Sequence, residues 1–496
     1  MNSALKKITE AARGLFSWAD DRLHLVKLWE STAGHHVPKN AASWFYVFGS
    51  ATLLCFLIQL ATGILLALVY VPSAAEAYTT LEYLTFQQDL GWFLRGVHYW
   101  GSNFMVGIMC LHLTQVYLFG AYKYPREITW LSGVALLGIT LGLAFTGQVM
   151  RFDEDAYWGL GIGAAIMGRV PLLGGPMVNM MLGGPIIASE TLSRFFTLHV
   201  FVLPGAILAL VSLHLRMVLN KGINEYPQPG RVVRRETYDK EYASIIKKDG
   251  VPFFPKAIGK DLVAAAVVIL GVVACACFFG PKGPLGPPDP LQIDTVPRPD
   301  FFFLWIFSIA ALMPDWMETP ALLGGPVIIG LVLLALPFVN GTGEKSWRRR
   351  PVAVLVVILT YLSLGMLTYL GQTAPWSPVM NAWKSAPIAK TEIAGRSPLE
   401  LQGALTLQYM QCRNCHAIEG VGGQRGPDLS GIGGRLTKDQ LIRQVIQGGG
   451  NMPAYGNNLT PDQVEALACY MVSLRPPGIP ASRDPATPAK PGKEAP

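Results

Sequence analysis

The stretch RGVHYWGSNFMVGIMCLH, residues 95–112, decides how this chain folds. It lies inside an apolar run long enough to cross a bilayer, yet it holds two histidines, His98 and His112. Fourteen residues at a rise of about 1.5 Å cover roughly 21 Å and almost four helical turns, so both imidazoles share one helix face. A second run, opening with LSRFFTLHVFVLP (192–204), holds His199 and His214 fifteen residues apart. An intramembrane histidine is costly and is a functional candidate by default. One such residue is more often a hydrogen-bonded core imidazole, but two matched pairs are not explained that way. If the two helices run side by side, His98 faces His199 near one surface and His112 faces His214 near the other. Two bis-imidazole sites stacked across a membrane suit two b-type haems. A proton relay is the rival reading, and it gives no reason for two near-equal separations.

Glycines repeat the spacing. Gly49 and Gly63 are fourteen residues apart in one apolar run, and Gly133 and Gly147 in another. Glycine lets a flat, bulky group approach the backbone, although small-residue helix packing uses glycine as well. Arg95 and Arg194, beside the outer histidines, are candidates to pair with haem propionates; ordinary arginines of the membrane edge are the alternative.

The composition agrees with a membrane chain. Of 496 residues, 51% are hydrophobic and 15% charged, against about 25% charged in soluble proteins. Seven runs reach the roughly 20 residues a span needs: 44–71, 92–119, 131–150, 195–219, 261–279, 321–339 and 352–371. With the N-terminus inside, the cytoplasmic segments hold 21 Lys and Arg and the outer loops 5, which fixes the expected orientation. Residues 1–43 interrupt every apolar run with charge, so they read as an amphipathic surface segment rather than a signal peptide.

The expected fold is all-α: a membrane bundle of seven helices with a small helical module after it. Its parts are the surface segment 1–43, a four-helix part 44–220, a cytoplasmic linker 221–260 and a three-helix part 261–371. A linker 372–397, a polar module 398–475 and a disordered tail 476–496 complete the chain. FFFLWIFSIAALM (301–313) is too short to cross, and the Gly- and Pro-cut stretch 159–184 is apolar but broken. Both read as interfacial pieces that roof an outer cavity.

Seven cysteines are present, four of them in spans, with no disulfide framework visible. Cys412 and Cys415 with His416 form C-x-x-C-H, the attachment pattern of a c-type haem. Zinc would want a second ligand pair downstream and a thioredoxin-like site a βαβ pattern; neither is present. His416 is then one axial ligand, and Met452 in GGGNMPAYG (448–456) suits the other. TPDQVEALACYMVSL (460–474) reads as a closing helix capped by Thr460.

The ordered stretches RGVHYWGSNFMVGIMCLH, YKYPREITWLSG, AYWG, LSRFFTLHVFVLP, KDLVAAAVVILG, PDFFFLWIFSIA and RRRPVAVLVVILTYLSLG resemble cytochrome b of the Rieske/cytochrome b complexes, over residues 15–375. The His199–His214 step and the end after a seventh span resemble the chloroplast and cyanobacterial branch, in which four-helix and three-helix subunits are separate. Here both are joined, and a class I cytochrome c follows. The resemblance implies a quinol–cytochrome c oxidoreductase working by a Q cycle with two b haems and one c haem. It implies a Rieske iron–sulfur partner, a cytochrome acceptor, a homodimeric complex, surrounding lipid and no nucleic acid. The setting implied is the bacterial cytoplasmic membrane, with the haem c module outside.

The resemblance also assigns residues. The family's outer quinol site carries Pro-Glu-Trp-Tyr; the matching residues are Pro299, Asp300, Phe301 and Phe302, so the acid is shorter and the tyrosine is gone. Asp300 is the implied proton acceptor, with Pro299, Phe302 and Tyr157 about the quinone. Family members tend to have Pro-Trp before the Tyr-Trp-Gly loop, and this chain has Arg151-Phe152. Lys260 and Asp261 resemble the family's pair at the inner quinone site. The branch's cysteine for an extra covalent haem aligns with Val47, so no such thioether is expected.

Two other classes stay open on the sequence. A di-haem anchor of a dehydrogenase would leave Asp300 and the roofed cavity unexplained. A transporter with histidine relays would leave C-x-x-C-H unexplained.

Overall fold

The computed structural model describes all residues except 1, 185–186, 289–296, 374–386, 423–425, 449–451, 453, 457, 477, 479 and 481–496. Half of the expected linker 372–397 and most of the expected disordered tail thus lie outside the described residues.

Among the described residues, six helices are long and apolar enough to cross a membrane: Trp44–Ala67, Glu127–Val149, Ser189–Lys221, Phe253–Phe279, Trp316–Val339 and Pro351–Thr373. The second expected span, 92–119, is a helix over Gly91–Leu118, and its 28 residues are ample in length. It falls short on composition, because Arg95, His98, Asn103, His112 and Gln115 dilute its apolar content. That load is tolerable because it faces inward: Arg95, Asn103 and Gln115 are all buried. The helix packs closely on two neighbours. A Cβ on Gly96 would stand 3.0 Å from the Ala276 methyl, and one on Gly101 would collide with the Gln59 amide.

The fourth span is continuous from Ser189 to Lys221. It passes through one widened turn, Leu198–Val202, in which the amide of Leu203 reaches back to the carbonyl of Leu198. Pro204 follows and can give no amide hydrogen to the helix ladder. Such i→i+5 turns concentrate at functional sites, and His199 sits on this one.

The expected interfacial pieces are helical. Glu154–Gly168 and Gly174–Leu182 form the stretch after the third span, and Phe301–Leu312 is an apolar helix too short to cross. At the N-terminus, Asn2–Leu23 is a helix exposing Leu5, Ile8 and Leu15 at helical spacing. Strand His36–Pro38 then pairs antiparallel with Gly250–Pro252.

The two membrane parts are clasped at one end. Val232–Val233 pairs with Gly343–Glu344, and beneath this ribbon Lys345 Nζ lies 3.0 Å from Glu225 Oε1, both side chains almost fully buried. Glu225 also takes Arg231 at 3.0 Å, and Lys123 donates to the carbonyls of Asn340 (2.8 Å) and Thr342 (2.6 Å).

The C-terminal module packs helices Pro398–Tyr409, Lys438–Gln447 and Pro461–Ser473 around Leu407, Leu441, Val445, Leu467 and Tyr470. Each begins with a reciprocal capping box, built by Ser397 with Glu400, Thr437 with Gln440 and Thr460 with Gln463.

Candidate functional site

The four membrane histidines are half-buried and lie within the bundle as two pairs. At the end expected to face outward the rings of His98 and His199 stand 6.3 Å apart between centroids, their planes at 78°. A metal–nitrogen bond of about 2 Å to each ring, plus the radius of the rings, fills that separation with one shared ion. At the inner end His112 lies within electrostatic range of His214.

Each histidine is faced by one of the four repeated glycines. A Cβ added at Gly147 would come 2.7 Å from His199 Cε1, at Gly63 3.2 Å from His98, at Gly49 3.3 Å from His112 and at Gly133 3.6 Å from His214. The two fourteen-residue repeats therefore clear room for the imidazoles and whatever lies between them.

Three hydroxyls that sequence reasoning missed fix the rings. Thr62 Oγ1 is 2.9 Å from His98 Nδ1, Thr146 Oγ1 is 2.9 Å from His199 Nδ1, and Ser132 Oγ is 2.8 Å from His214 Nδ1. Each hydroxyl donates its own hydrogen to a carbonyl of its helix, Ile58 (2.6 Å), Leu143 (3.1 Å) and Thr129 (2.8 Å). The hydroxyl oxygen must then accept from Nδ1–H, which leaves Nε2 with its lone pair free for a metal. A signal existed: a Thr or Ser directly precedes three of the four glycines. Phe48 precedes the fourth, and His112 Nδ1 is buried with no hydrogen-bond partner among the described residues. The donor set, its tautomers and the glycine cradles all fit a haem at each pair.

The outer pair opens into a cavity that Asp300, Phe302, Lys282 and Arg151 also line. Asp300 is buried and has a cationic partner. Lys282 Nζ stands 3.5 Å from Asp300 Oδ1 and 3.2 Å from Asp155 Oδ2, and donates to the Arg298 carbonyl at 3.0 Å. That partner lies eighteen positions upstream, across a Pro-rich run that hides the contact from any local pattern. Pro299 is half-buried beside Asp300. Tyr157 packs against Phe152, ring centroids 6.2 Å apart, within a cluster that includes Ala77 and Leu192, and neither it nor Pro299 is among the cavity-lining residues.

Arg95 is buried, but its guanidinium goes to Thr85 Oγ1 and to the carbonyls of Lys282 and Gly283, the last at 2.9 Å. Arg194 binds the carbonyls of Asn179 and Met180 near the surface. At the inner end Lys260 Nζ donates to the Ala42 carbonyl at 2.7 Å, and Asp261 accepts from Ser50. Those two residues, adjacent in sequence, are held by different segments, and Val47 is buried nearby on the helix that carries Gly49.

In the C-terminal module, Cys412, Cys415, His416 and Met452 line one pocket with Tyr455 and Gly426. His416 Nδ1 is 2.8 Å from the Pro427 carbonyl, which again frees Nε2. Burial pushes the His416 imidazole below its ordinary value, against the pull of that carbonyl. Burial and the neighbouring Cys415 push the Cys412 thiol up to about 12. Gln444 Nε2 stands 3.8 Å from Met452 Sδ. A covalent haem between the thiols, His416 and Met452 fits this donor set.

Comparison with known proteins agrees with this geometry. Residues 32–222 match the family model described as Cytochrome b/b6/petB, and residues 401–471 match that of Cytochrome C oxidase, cbb3-type, subunit III. Cytochrome b6 of Synechococcus elongatus is 37% identical over 210 residues, 42% of this chain and 97% of that protein. Cytochrome b6 of Prochlorothrix hollandica is 37% identical over 219 residues, 44% of this chain and 97% of its own length. Among solved structures, a chain of the Hyperthermophilic respiratory Complex III aligns with a TM-score of 0.62 and 28% identity, covering 73% of this chain and 92% of that one. Both the glycine-faced histidine pairs and the near-complete coverage of these relatives lead to one conclusion: the chain belongs to the cytochrome b/b6 family and carries a cytochrome c domain at its C-terminal end.

Proposed function

We propose that this chain is the cytochrome b and c subunit of a quinol–cytochrome c oxidoreductase that runs a Q cycle with a Rieske iron–sulfur partner. An oxidoreductase subunit, haem-bearing and part of a multi-subunit membrane complex, follows from the family and from the complex III likeness. The finer reading rests on one observation: a single cavity joins the His98/His199 pair to Asp300.

When bound, the two non-covalent haems and the covalent one supply one-electron stations along the bundle and on the outer face. Oxidation of a quinol to a quinone releases two electrons and two protons. At the outer cavity Asp300 takes a proton from the quinol hydroxyl, and Phe302 provides an apolar wall. Lys282 Nζ, 3.5 Å from Asp300 Oδ1, positions the carboxylate. Asp155, on the far side of the same ammonium, offers the proton a second carboxylate toward the outer surface. The pair of electrons divides between the partner's iron–sulfur cluster and the bundle, with quinone reduced at the inner end near Lys260 and Asp261. The complex is read as a homodimer in a bacterial cytoplasmic membrane with residues beyond 371 outside.

Asp300→Asn tests this reading. The variant should keep all three haems, two b to one c by pyridine haemochrome. It should slow quinol oxidation by about 10²-fold or more, the scale of a lost general base, while reduction of the b haems from the inner side persists. Full haem content with unaltered quinol oxidation would place the quinol elsewhere.

A further inference from the structure

The cations at the outer end of the bundle are not equivalent. Arg95 and Arg194 spend their donors on backbone carbonyls and a threonine hydroxyl. Arg151 does not. Its residue is 8% exposed, and it is tethered at one corner only: Nη2 stands 3.4 Å from Asp153 Oδ1 and 3.5 Å from Asp155 Oδ2. Nε and Nη1 are buried with no hydrogen-bond partner among the described residues. The side chain lines the cavity shared by His98, His199 and Asp300. It stands four residues after Gly147, where the resemblance led us to expect a proline.

The two carboxylates behind it are themselves engaged. Asp153 accepts from the amides of Ala156 at 2.9 Å and Leu285 at 3.3 Å. Asp155 accepts from the Arg298 amide at 3.1 Å and pairs with Lys282. They anchor the guanidinium without exhausting its charge. Nε and Nη1 lie on different edges of the buried guanidinium, so each is a separate free donor to an oxyanion, and leaving such donors unpaired is expensive.

We propose that Arg151 receives an oxyanion at the outer end of this cavity through one of its two free donors, Nε or Nη1. Two sources deliver that chemistry there: a propionate of the tetrapyrrole held between His98 and His199, or the oxygen of the quinol oxidised beside Asp300. The inference rests on the haem and quinol reading above. It adds a binding residue that the family pattern does not supply.

The test uses Arg151→Gln and Arg151→Lys in the complete complex. Haem content is measured first in the unsubstituted protein; absence of b haem there would sink the functional reading itself, not merely this inference. If the partner is the propionate, Arg151→Gln lowers the midpoint potential of the outer haem, because a positive charge that favours the reduced iron is gone. A tenfold change in the reduction equilibrium corresponds to about 59 mV for one electron. The inner haem stays unmoved, and Arg151→Lys restores most of the shift. Selective loss of the outer haem, with the inner haem and haem c kept, counts for the same source. If the partner is the quinol, the potential holds while the KM for quinol rises about tenfold with kcat little changed, a loss of uniform binding. Should Arg151→Gln fail to assemble, Arg151→Met, which keeps side-chain length and loses the charge and the donors, is read in the same way. Intact haems with unchanged potentials and an unchanged quinol KM would overturn the proposal.

Discussion

Thr146 Oγ1 accepts a hydrogen bond from Nδ1 of His199 at 2.9 Å while donating its own hydrogen to the Leu143 carbonyl at 3.1 Å. The same hydroxyl thus fixes which tautomer His199 adopts and which way its ring faces. Such outer contacts strengthen a metal-bound imidazole as a donor. A stronger donor favours oxidised iron, so Thr146→Val should raise the potential of the outer haem. The rise should approach a tenfold change in the reduction equilibrium, about 59 mV. A redox titration reads it directly, and an unmoved outer potential would remove Thr146 from the site.

The four glycines make a graded series. Gly147→Ala must displace His199, since the new carbon would sit 2.7 Å from Cε1, whereas Gly133→Ala would meet His214 at an ordinary 3.6 Å. The first should lose the outer haem and bring the haemochrome ratio of b to c from 2:1 to 1:1. The second should keep both b haems. Equal behaviour of the two variants would mean that clearance at the imidazole is not what the glycines provide.

Met452 lines the same pocket as Cys412, Cys415 and His416. Met452→Ala should leave haem c attached through its thioethers but lower its potential, because a thioether axial ligand raises it. Covalent haem is followed by its stain on a denaturing gel and the potential by titration. A potential that does not move would assign the sixth ligand to another residue.

The inner clasp has a sign in pH. Burial raises the Glu225 carboxyl, but the Lys345 charge and hydrogen bond, with help from Arg126, outweigh it and hold it below the usual range. Its folded value is lower than its unfolded value, so the stabilisation is present above the ordinary glutamate value of about 4.3. It is lost as pH falls through the lowered folded value. Burial brings Lys345 down to about 8 against the pull of Glu225; its native form sheds a proton first on the alkaline side, so that group adds no loss of stability there. Hydrogen-exchange protection factors over 223–233 and 341–346, corrected for the intrinsic rate, should therefore fall on acidification below that range. Glu225→Gln should abolish that dependence. At neutral pH it should cost about 3–5 kcal/mol by stranding the buried ammonium. Protection factors that do not change with pH would show that the pair is not what closes the clasp.

What could be read from the chain follows the range of the interaction. His98 with His112, and Gly133 with Gly147, lie on single helices, so helical periodicity exposes them without a partner in view. The hydroxyl before Gly63, Gly133 and Gly147 was present in the same register, but its meaning depends on a helix that arrives later in the chain. The ion pair of Asp300 crosses the Pro-rich run, and Lys282 joins Asp155 across more than a hundred residues. No spacing rule reaches that far. Gly91–Leu118 carries so many polar groups that it is less apolar than the six other spans, although Ser189–Lys221 holds as many of the paired histidines.

The clasp between Lys345 and the 224–225 corner has a consequence for how the protein is made. Lys345 Nζ also donates to Asn224, 121 positions earlier in the chain. At about 5–20 residues per second, the ribosome needs on the order of ten seconds to deliver the lysine after the corner has emerged. During that interval the carboxylate and amide stay hydrated, and the first four membrane segments wait with their inner loop unsealed. Closure is thus timed by translation: the loop cannot lock before the turn between the last two spans has been made.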